Sequence, residues 1–296
     1  NFVARQFIDI NGRKGFLSHQ FGYATPITLS GNRARLKVEG QFLSTISQTG
    51  SSSFQSHSRT TVLNSELASP IDNWVGSLSF IPELYTRIEI KNANKVRLFN
   101  FKRVDATSAK SNLTQIPIGL RGSTTGTLFG AKTSGKLDAS IVLGRGTDAG
   151  VTKPDFAYFG WTSHQNFKLT SELNLTVKSN GQYTRNALPS LAQSSIGGDS
   201  SVRGYEAGEI STEKGVVFNF EFRSKAVKSG LGEYAFNVVP YTFVDLGYAS
   251  ALGTRGSMNI ASGGLGADIT IGKSSIFKWS IARTFRPGVL TSNEAF

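Results

Sequence analysis

Residues 196–205 of this 296-residue chain read IGGDSSVRGY, a glycine-rich turn that carries one arginine, Arg203, between Val202 and Gly204. Gly, Asp and Ser in close succession are typical of a loop, because they favour turns over regular strands or helices. A carboxylate can hold a guanidinium group through two parallel hydrogen bonds. The stretch therefore predicts a loop whose arginine binds a carboxylate elsewhere in the chain, and a solvated loop arginine is the alternative.

The segment that follows this loop alternates between apolar and polar residues, as a β-strand does when its side chains point to opposite faces. Residues 216–223 read VVFNFEFR, with phenylalanine at every second position from Phe218. Similar alternation recurs at 33–42, 137–143, 167–178 and 277–281. Further candidate strands lie at 14–23, 74–81, 84–90, 95–102, 115–121, 126–132, 156–162, 236–248 and 263–271, with turn clusters at 11–13, 31–32, 91–94, 144–148 and 253–256. No helix longer than two turns is predicted, so the expected fold class is all-β.

Strands with one apolar face suit a soluble sandwich or barrel, or a membrane barrel whose apolar face contacts lipid. The runs at 33–42 and 167–178 are longer than the usual soluble strand of roughly 5–6 residues and suit a tilted membrane strand. Aromatic residues near segment ends resemble the girdles of membrane interfaces. They are Tyr23, Tyr85, Tyr158, Phe159, Trp161, Tyr183, Tyr234 and Tyr248. These features favour the membrane barrel.

The composition agrees with a barrel that has a polar lumen. Hydrophobic residues make up 39% and charged residues 18% of the chain, which also has 32 glycines. The net charge of +12 is compatible with nucleic-acid binding, a basic lumen or contact with anionic lipid. Because the basic residues are dispersed along the chain and form no basic helix or tail, we expect no nucleic-acid partner.

No catalytic, cofactor or metal site is predicted. The chain has no cysteine, which excludes disulfides, thiolate nucleophiles and Cys-bound metals. His19, His57 and His164 are far apart and form no His-x-x-x-His pair. Neither a G-x-S-x-G elbow nor a G-x-x-x-x-G-K-[ST] phosphate loop occurs, and the chain is therefore not expected to be an enzyme.

Two further motifs follow the arginine loop. Residues 243–247 read FVDLG, and residues 263–266, in the next predicted strand, read GGLG. In a strand, Phe243 and Asp245 share one face, while the residues between them point to the other. Asp245 is thus interpreted as a strand carboxylate that shares a face with Phe243, and a turn aspartate is the alternative.

Taken in order, these motifs resemble those of the TpsB two-partner secretion transporters, a family of the BamA/TpsB outer-membrane superfamily. The VRGY motif is Val202, Arg203, Gly204 and Tyr205; the F-x-D-x-G motif is Phe243, Asp245 and Gly247; the glycine-rich strand contains Gly263, Gly264 and Gly266. The resemblance is sharp over residues 180–272 and architectural elsewhere. It implies a transmembrane antiparallel β-barrel over residues 1–296 with 16 strands and a loop at about 186–214 folded into the lumen.

The resemblance also implies roles for these residues. Asp245 would face the lumen and bind the guanidinium of Arg203. Gly204 would let the loop tip approach the barrel wall closely, and Tyr205 would pack its ring there while its hydroxyl forms a hydrogen bond. The glycine-rich strand would leave room for the inserted loop.

The function implied by the resemblance is secretion across the bacterial outer membrane. A TpsB transporter passes one or a few large exoproteins in unfolded form, without ATP or a cofactor, and works here as a monomer among outer-membrane lipid and lipopolysaccharide. Two alternatives remain: a BamA- or TamA-like factor that inserts β-barrel proteins, and a passive porin with a chance VRGY motif. Sixteen strands over 296 residues leave no room for the periplasmic POTRA domains that precede the barrel in this family.

Overall fold

The computed structural model of the protein describes residues 2–8, 14–29, 32–48, 54–72, 78–99, 102–103, 109–149, 151–229, 236–250, 257–271 and 275–285. Their strands are β1 (Phe2–Ile8), β2 (Lys14–Leu29), β3 (Asn32–Gln48), β4 (Phe54–Pro70), β5 (Leu78–Phe99), β6 (Lys102–Arg103), β7 (Ala109–Leu128), β8 (Ala131–Asp148), β9 (Val151–Thr152), β10 (Phe156–Lys168), β11 (Leu173–Thr184), β12 (Ser194–Ile196), β13 (Ile210–Thr212), β14 (Lys214–Ser224), β15 (Val227–Ser229), β16 (Phe236–Ser250), β17 (Ser257–Ile271) and β18 (Ser275–Thr284). A 3₁₀ turn, Ser190–Ala192, lies between β11 and β12.

The strands form one large antiparallel sheet of 16 strands, which confirms the fold class predicted from the sequence. Thirteen of them follow the order β1-β2-β3-β4-β5-β7-β8-β10-β11-β14-β16-β17-β18, and the short strands β6, β9 and β15 pair with β5, β8 and β16. Within the described residues β1 and β18 do not pair with each other, so the sheet is open at that point. β12 and β13 form a separate two-stranded hairpin.

Strand β16 shows how the sheet distributes its side chains. Its residues alternate between buried and exposed positions without interruption from Tyr241 to Ala249. Asp245 is fully buried, whereas Val244 and Leu246 are 39% and 41% exposed. We call the face that carries Asp245 the inner face and the opposite one the outer face. An apolar outer face and a polar inner face are the reverse of a soluble sheet and are what contact with lipid requires.

The inversion extends across the sheet. Buried polar residues on the inner face include Glu66, Glu89, Gln115, Thr176, Asn219, Glu221, Asp245 and Ser262. Exposed apolar residues on the outer face include Leu84, Ile88, Ile116, Ile118, Ile141, Leu143, Phe159, Phe218, Phe222, Leu265, Trp279 and Ile281. None of the described helical segments is long and apolar enough to cross a membrane.

The single strand predicted at 167–178 is wrong, because β10 and β11 are separated by a turn at 169–172. The hydroxyl of Thr170 closes this turn by accepting hydrogen bonds from two backbone N–H groups. Phe167 pairs with Leu175 across the hairpin. Since these two positions are an even number of residues apart, the alternation keeps its phase through the turn, and the sequence pattern does not reveal it.

The strand predicted at 126–132 also crosses a hairpin, since β7 ends and β8 begins on either side of Phe129 and Gly130. Both residues have positive φ, 52° and 78°, as a two-residue type I′ turn requires. A phenylalanine in the first of these positions gives no turn signal, so the pattern predicted a continuous strand.

Two predicted turns lie instead within strands, at 91–94 in β5 and at 144–148 in β8. The glycines of the second segment make room for neighbouring side chains. A Cβ on Gly144 would lie 2.5 Å from the ring of Phe156, and one on Gly146 would lie 2.9 Å from the side chain of Pro189. Tight packing therefore explains these glycines, and a turn does not.

Two of the aromatic residues expected at a membrane interface point to the inner face. The Tyr85 hydroxyl donates a hydrogen bond to Asp138 at 2.6 Å, and the Tyr158 hydroxyl donates one to Gln115 at 3.4 Å. Those with exposed side chains are Tyr23, Phe159, Tyr183 and Tyr248. Outside the described residues lie Tyr234, the predicted turns at 11–13 and 253–256, residue 31 of the turn at 31–32, and parts of the strands predicted at 74–81 and 95–102.

Candidate functional site

The connection between β11 and β14, residues 185–213, folds against the inner face of the sheet. Its two arms pair with each other through β12 and β13, and we call residues 197–209 between them the loop tip. Gly197 and Gly198 have φ values of 114° and 91°, which side-chain-bearing residues rarely adopt. The N–H of Gly197 donates to the hydroxyl of Ser201 at 3.2 Å, so the turn predicted from the sequence is stabilised from within.

Arg203 lies at the centre of the loop tip and binds two carboxylates of the wall. Its Nε and Nη2 donate to Oδ2 and Oδ1 of Asp245 at 2.7 and 2.8 Å, and Nη1 donates to Oε1 of Glu221 at 2.9 Å. The backbone N–H of Arg203 adds a bond to Asp245 at 3.1 Å. The guanidinium carbon also lies 3.5 Å from the centroid of the Phe243 ring. A planar guanidinium group that is hydrogen-bonded on two edges and stacked on an aromatic ring is fixed in both position and orientation.

The carboxylates that hold Arg203 are themselves buried. Asp245 is 0% exposed and Glu221 is 5% exposed. Asn219 lies directly opposite Asp245 in the register of β14 and β16, and its Nδ2 donates to Asp245 Oδ1 at 2.8 Å and to the carbonyl of Ser201. Buried charges are tolerated when they are paired and hydrogen-bonded, and here each charge has such partners.

Burial and neighbouring charge change the pKa of Arg203 in opposite directions. Burial alone would lower the pKa of its guanidinium, but the hydrogen bonds and charge of Asp245, and then those of Glu221, outweigh burial and raise the pKa. Since arginine is already protonated at any physiological pH, Arg203 presents a permanent positive charge to the carboxylates of the wall.

An apolar cluster lies beside this ion pair. The loop contributes Ile196, Val202, Tyr205 and Ile210, and the wall contributes Val217, Ala249 and Ile260. The hydroxyl of Tyr205 donates to the carbonyl of Ala261 at 3.1 Å. The loop tip therefore contacts β14, β16 and β17 at the same time.

The structure brings the VRGY and F-x-D-x-G residues into contact with each other. The Cβ position of Gly204 is 3.2 Å from Cβ of Ala282 in β18, and that of Gly247 is 2.8 Å from the side chain of Ile196. Both glycines thus lie at contacts between the loop and the wall.

The glycine-rich strand is arranged differently from what the sequence suggested. Gly264 and Gly266 make room for the rings of Phe243 and Tyr241, since a Cβ on them would lie 2.6 Å and 2.4 Å from those rings. Gly263 has the opposite orientation in β17. Gly264 thus makes room for Phe243, whose ring stacks on Arg203, and Gly266 makes room for Tyr241, whose ring stacks on Arg223.

Two residues of the site, Asn219 and Glu221, were not assigned a role from the sequence. Both lie on the polar side of the VVFNFEFR strand, which was recognised as alternating. The signal that could have identified them is the pairing of this strand with the strand of Asp245, because cross-strand neighbours on one face lie close together.

We expect Gly247→Ala to loosen the loop tip, because its new methyl group would overlap the side chains of Ile196, Val202 and Ile260 at 2.8–3.0 Å. Overpacking of this kind costs about 1–3 kcal/mol, and trypsin cleavage after Arg203 should accelerate about tenfold. Gly160→Ala is the matched control, since its nearest neighbour would lie 3.5 Å away. Equal cleavage of the two variants would contradict the contact.

The comparisons with known proteins agree with this geometry. Residues 127–269 match the family model of the haemolysin secretion/activation protein ShlB/FhaC/HecB. CdiB from Acinetobacter baumannii has a similar fold, with a TM-score of 0.64 and 15% sequence identity over 98% of this chain and 54% of that one. CdiB from Escherichia coli gives 0.62 and 15%, over 95% of this chain and 58% of that one.

A more distant likeness is to BamA from Haemophilus ducreyi lacking POTRA domains 1–3, with a TM-score of 0.55 and 13% identity over 93% of this chain and 59% of that one. The chain spans 54–59% of the length of these three solved structures. No curated protein matches the sequence. The family match includes the loop tip, the Asp245 strand and the glycine-rich strand, which are the segments that carry the resemblance seen in the sequence. The fold of the chain is that of the CdiB and BamA structures.

Proposed function

We propose that this chain forms the pore of a two-partner secretion transporter, which passes a large exoprotein through the bacterial outer membrane in unfolded form. The observation that carries this proposal is the family match over residues 127–269, which covers the loop tip and its binding site on the wall. The fold supports the same reading, because the TM-scores to the two CdiB structures, 0.64 and 0.62, exceed the 0.55 to BamA. The outer face of the sheet contacts outer-membrane lipid and lipopolysaccharide, and the barrel works as a monomer without a cofactor.

The loop tip is the proposed gate of this pore. At rest, Arg203 binds Asp245 and Glu221 on the inner wall, so that the loop at 185–213 occupies the lumen. The tip is held by the ion pairs of one residue, Arg203, beside an apolar cluster. These contacts are therefore lost together when the tip leaves the wall. A client chain that displaces the tip clears the lumen for its own passage.

The proposal is tested by deleting the gene in its source bacterium and measuring three quantities: the proteins of the culture medium, the barrel proteins of the outer membrane, and the uptake of small solutes. We expect one or a few large polypeptides to disappear from the medium, while the other two quantities stay at wild-type levels. A general loss of outer-membrane barrels would instead support the BamA-like function. A loss of solute uptake alone would support a porin, and either result would overturn the proposal.

A further inference from the structure

A series of basic residues follows the inner face of β8, β10 and β11, away from the loop site. Lys132 pairs with Lys168 at one end of β8 and β10, and Lys136 pairs with His164, which in turn pairs with Lys178. All five have the strand phase of the inner face, and they project into open space, since all but the half-buried Lys178 are exposed. We call these five residues the basic track.

The charges of the basic track are largely uncompensated. Lys132, Lys136 and Lys168 form no ion pair with any residue that the structure describes. Lys178 lies 3.7 Å from Glu221, but that carboxylate is bound more closely, at 2.9 Å, by Arg203. Exposed lysines of this kind attract negative charge from the surrounding water.

Neighbouring acids on the same wall already have partners. Glu83 accepts hydrogen bonds from Arg35 and Arg121, at 3.1 and 2.9 Å. The carboxylate of Asp138 accepts a hydrogen bond from the Tyr85 hydroxyl. The arginines beside the basic track are thus paired with carboxylates, whereas the lysines of the track are not.

The basic track extends from one end of the strands, the mouth of the lumen, to the loop tip. Lys132 and Lys168 lie next to the short turns that end β7 and β10. Lys136 and His164 lie four residues further along these strands, roughly 13 Å away at the usual rise. They belong to a row of cross-strand neighbours that continues through Lys178 to Asn219 and Asp245. A cavity of about 740 Å³ lies there, lined by Lys136, His164 and Lys178 and by Ser200 of the loop tip.

We propose that the basic track binds acidic segments of the polypeptide that passes through the lumen, and guides them from the mouth to the loop tip. That the ligand is a client in transit rests on the proposed function. The binding of an acidic peptide by these five side chains rests on their placement and charge alone. An extended peptide fits the track, since a strand of four or five residues covers the same length.

The test uses the purified full chain in detergent and a fluorescent hepta-glutamate peptide, with hepta-lysine as the opposite probe, measured by fluorescence anisotropy at low ionic strength. We expect wild-type protein to bind hepta-glutamate and not hepta-lysine, and to lose this binding as salt screens the charges. The triple variant Lys132→Gln, Lys136→Gln, Lys168→Gln should weaken hepta-glutamate binding by about tenfold, because it removes three exposed ion pairs that are each individually weak.

A second triple variant separates the track from net charge. Lys110→Gln, Lys153→Gln, Lys228→Gln removes the same charge from positions outside the track and should leave binding unchanged. Replacing the three track lysines by glutamate should invert the preference toward hepta-lysine, which a misfolded protein would not do. The proposal is overturned if both triple glutamine variants lose binding equally, or if the glutamate variant keeps the preference for hepta-glutamate. Because the assay needs no secretion, its result is independent of whether the gene deletion supports a secretion pore.

Discussion

Replacing Asp245 with alanine is expected to release the loop tip from the inner wall. The substitution removes three of the four hydrogen bonds that Arg203 makes to carboxylates and leaves its charge buried beside Glu221. Breaking a buried ion pair by removing one partner costs about 3–5 kcal/mol. That cost falls on the closed position of the loop, because an arginine on a released loop is hydrated by water.

Ser262 offers a direct reporter of this release. The chain has no cysteine, so Ser262→Cys would carry a single thiol. Ser262 is 0% exposed, pairs with Asp245 across β16 and β17, and its hydroxyl has no hydrogen-bond partner among the described residues. A cysteine there loses no interaction, and a maleimide reaches it after the wall is uncovered. If the closed position of the loop loses about 3 kcal/mol of stability, labelling should accelerate roughly a hundredfold, since each 1.4 kcal/mol is a factor of about ten in an equilibrium constant.

Asp268→Ala is the control for this prediction. Asp268 binds Arg223 at 2.8 Å on the same inner face and, among the residues that the structure describes, forms no hydrogen bond or ion pair with the loop tip. Its loss should therefore leave the labelling rate of Ser262→Cys unchanged. If Asp245→Ala also leaves the labelling rate equal to that of Ser262→Cys alone, the apolar cluster holds the tip without the ion pair, and the prediction is wrong.

The phase of β16 was predictable from the sequence, and the position of its partners was not. FVDLG fixes Phe243 and Asp245 on one face of a strand, and the structure has them there. Which residue of β14 lies opposite Asp245 depends on register, and an alternating strand can slide by two residues without changing its faces. Asn219 and Glu221 were therefore visible as inner-face residues, while their contacts with Arg203 and Asp245 were not.

The same limit applies to the boundaries of the strands. At 167–178 an even-numbered separation carries the alternation through a hairpin, and Phe129 occupies a turn position where the sequence gives no turn signal. Conversely, Gly144 and Gly146 are glycines because Phe156 and Pro189 lie against them. Periodicity reports which face a residue belongs to, and tertiary packing decides where the chain reverses.

Combining Arg203→Ala with Asp245→Ala is expected to cost far less than the two single changes added together. Arg203→Ala leaves the carboxylate of Asp245, which is fully buried, with no cationic partner and only two neutral donors, Asn219 and the backbone N–H of residue 203. Asp245→Ala leaves a buried guanidinium. The double variant leaves neither charge unpaired. The coupling energy between the two changes should therefore be large, about 3 kcal/mol, near the upper end for residues in direct contact.

Two readouts check this prediction, the labelling rate of Ser262→Cys and the export of the partner exoprotein relative to the amount of barrel in the outer membrane. Export should fall strongly in each single variant while the barrel level stays near wild type, because the proposed function needs a loop tip that is bound to the wall in a fixed position, whereas the sheet is held by its own strand pairing. Arg121→Ala paired with Asp245→Ala provides the reference, since Arg121 binds Glu66 and Glu83 in a separate network and such distant changes add within about 0.5 kcal/mol. Additive costs in the Arg203 and Asp245 pair as well would show that the two residues act separately, and normal export in both single variants would remove the loop tip from the gating of the pore.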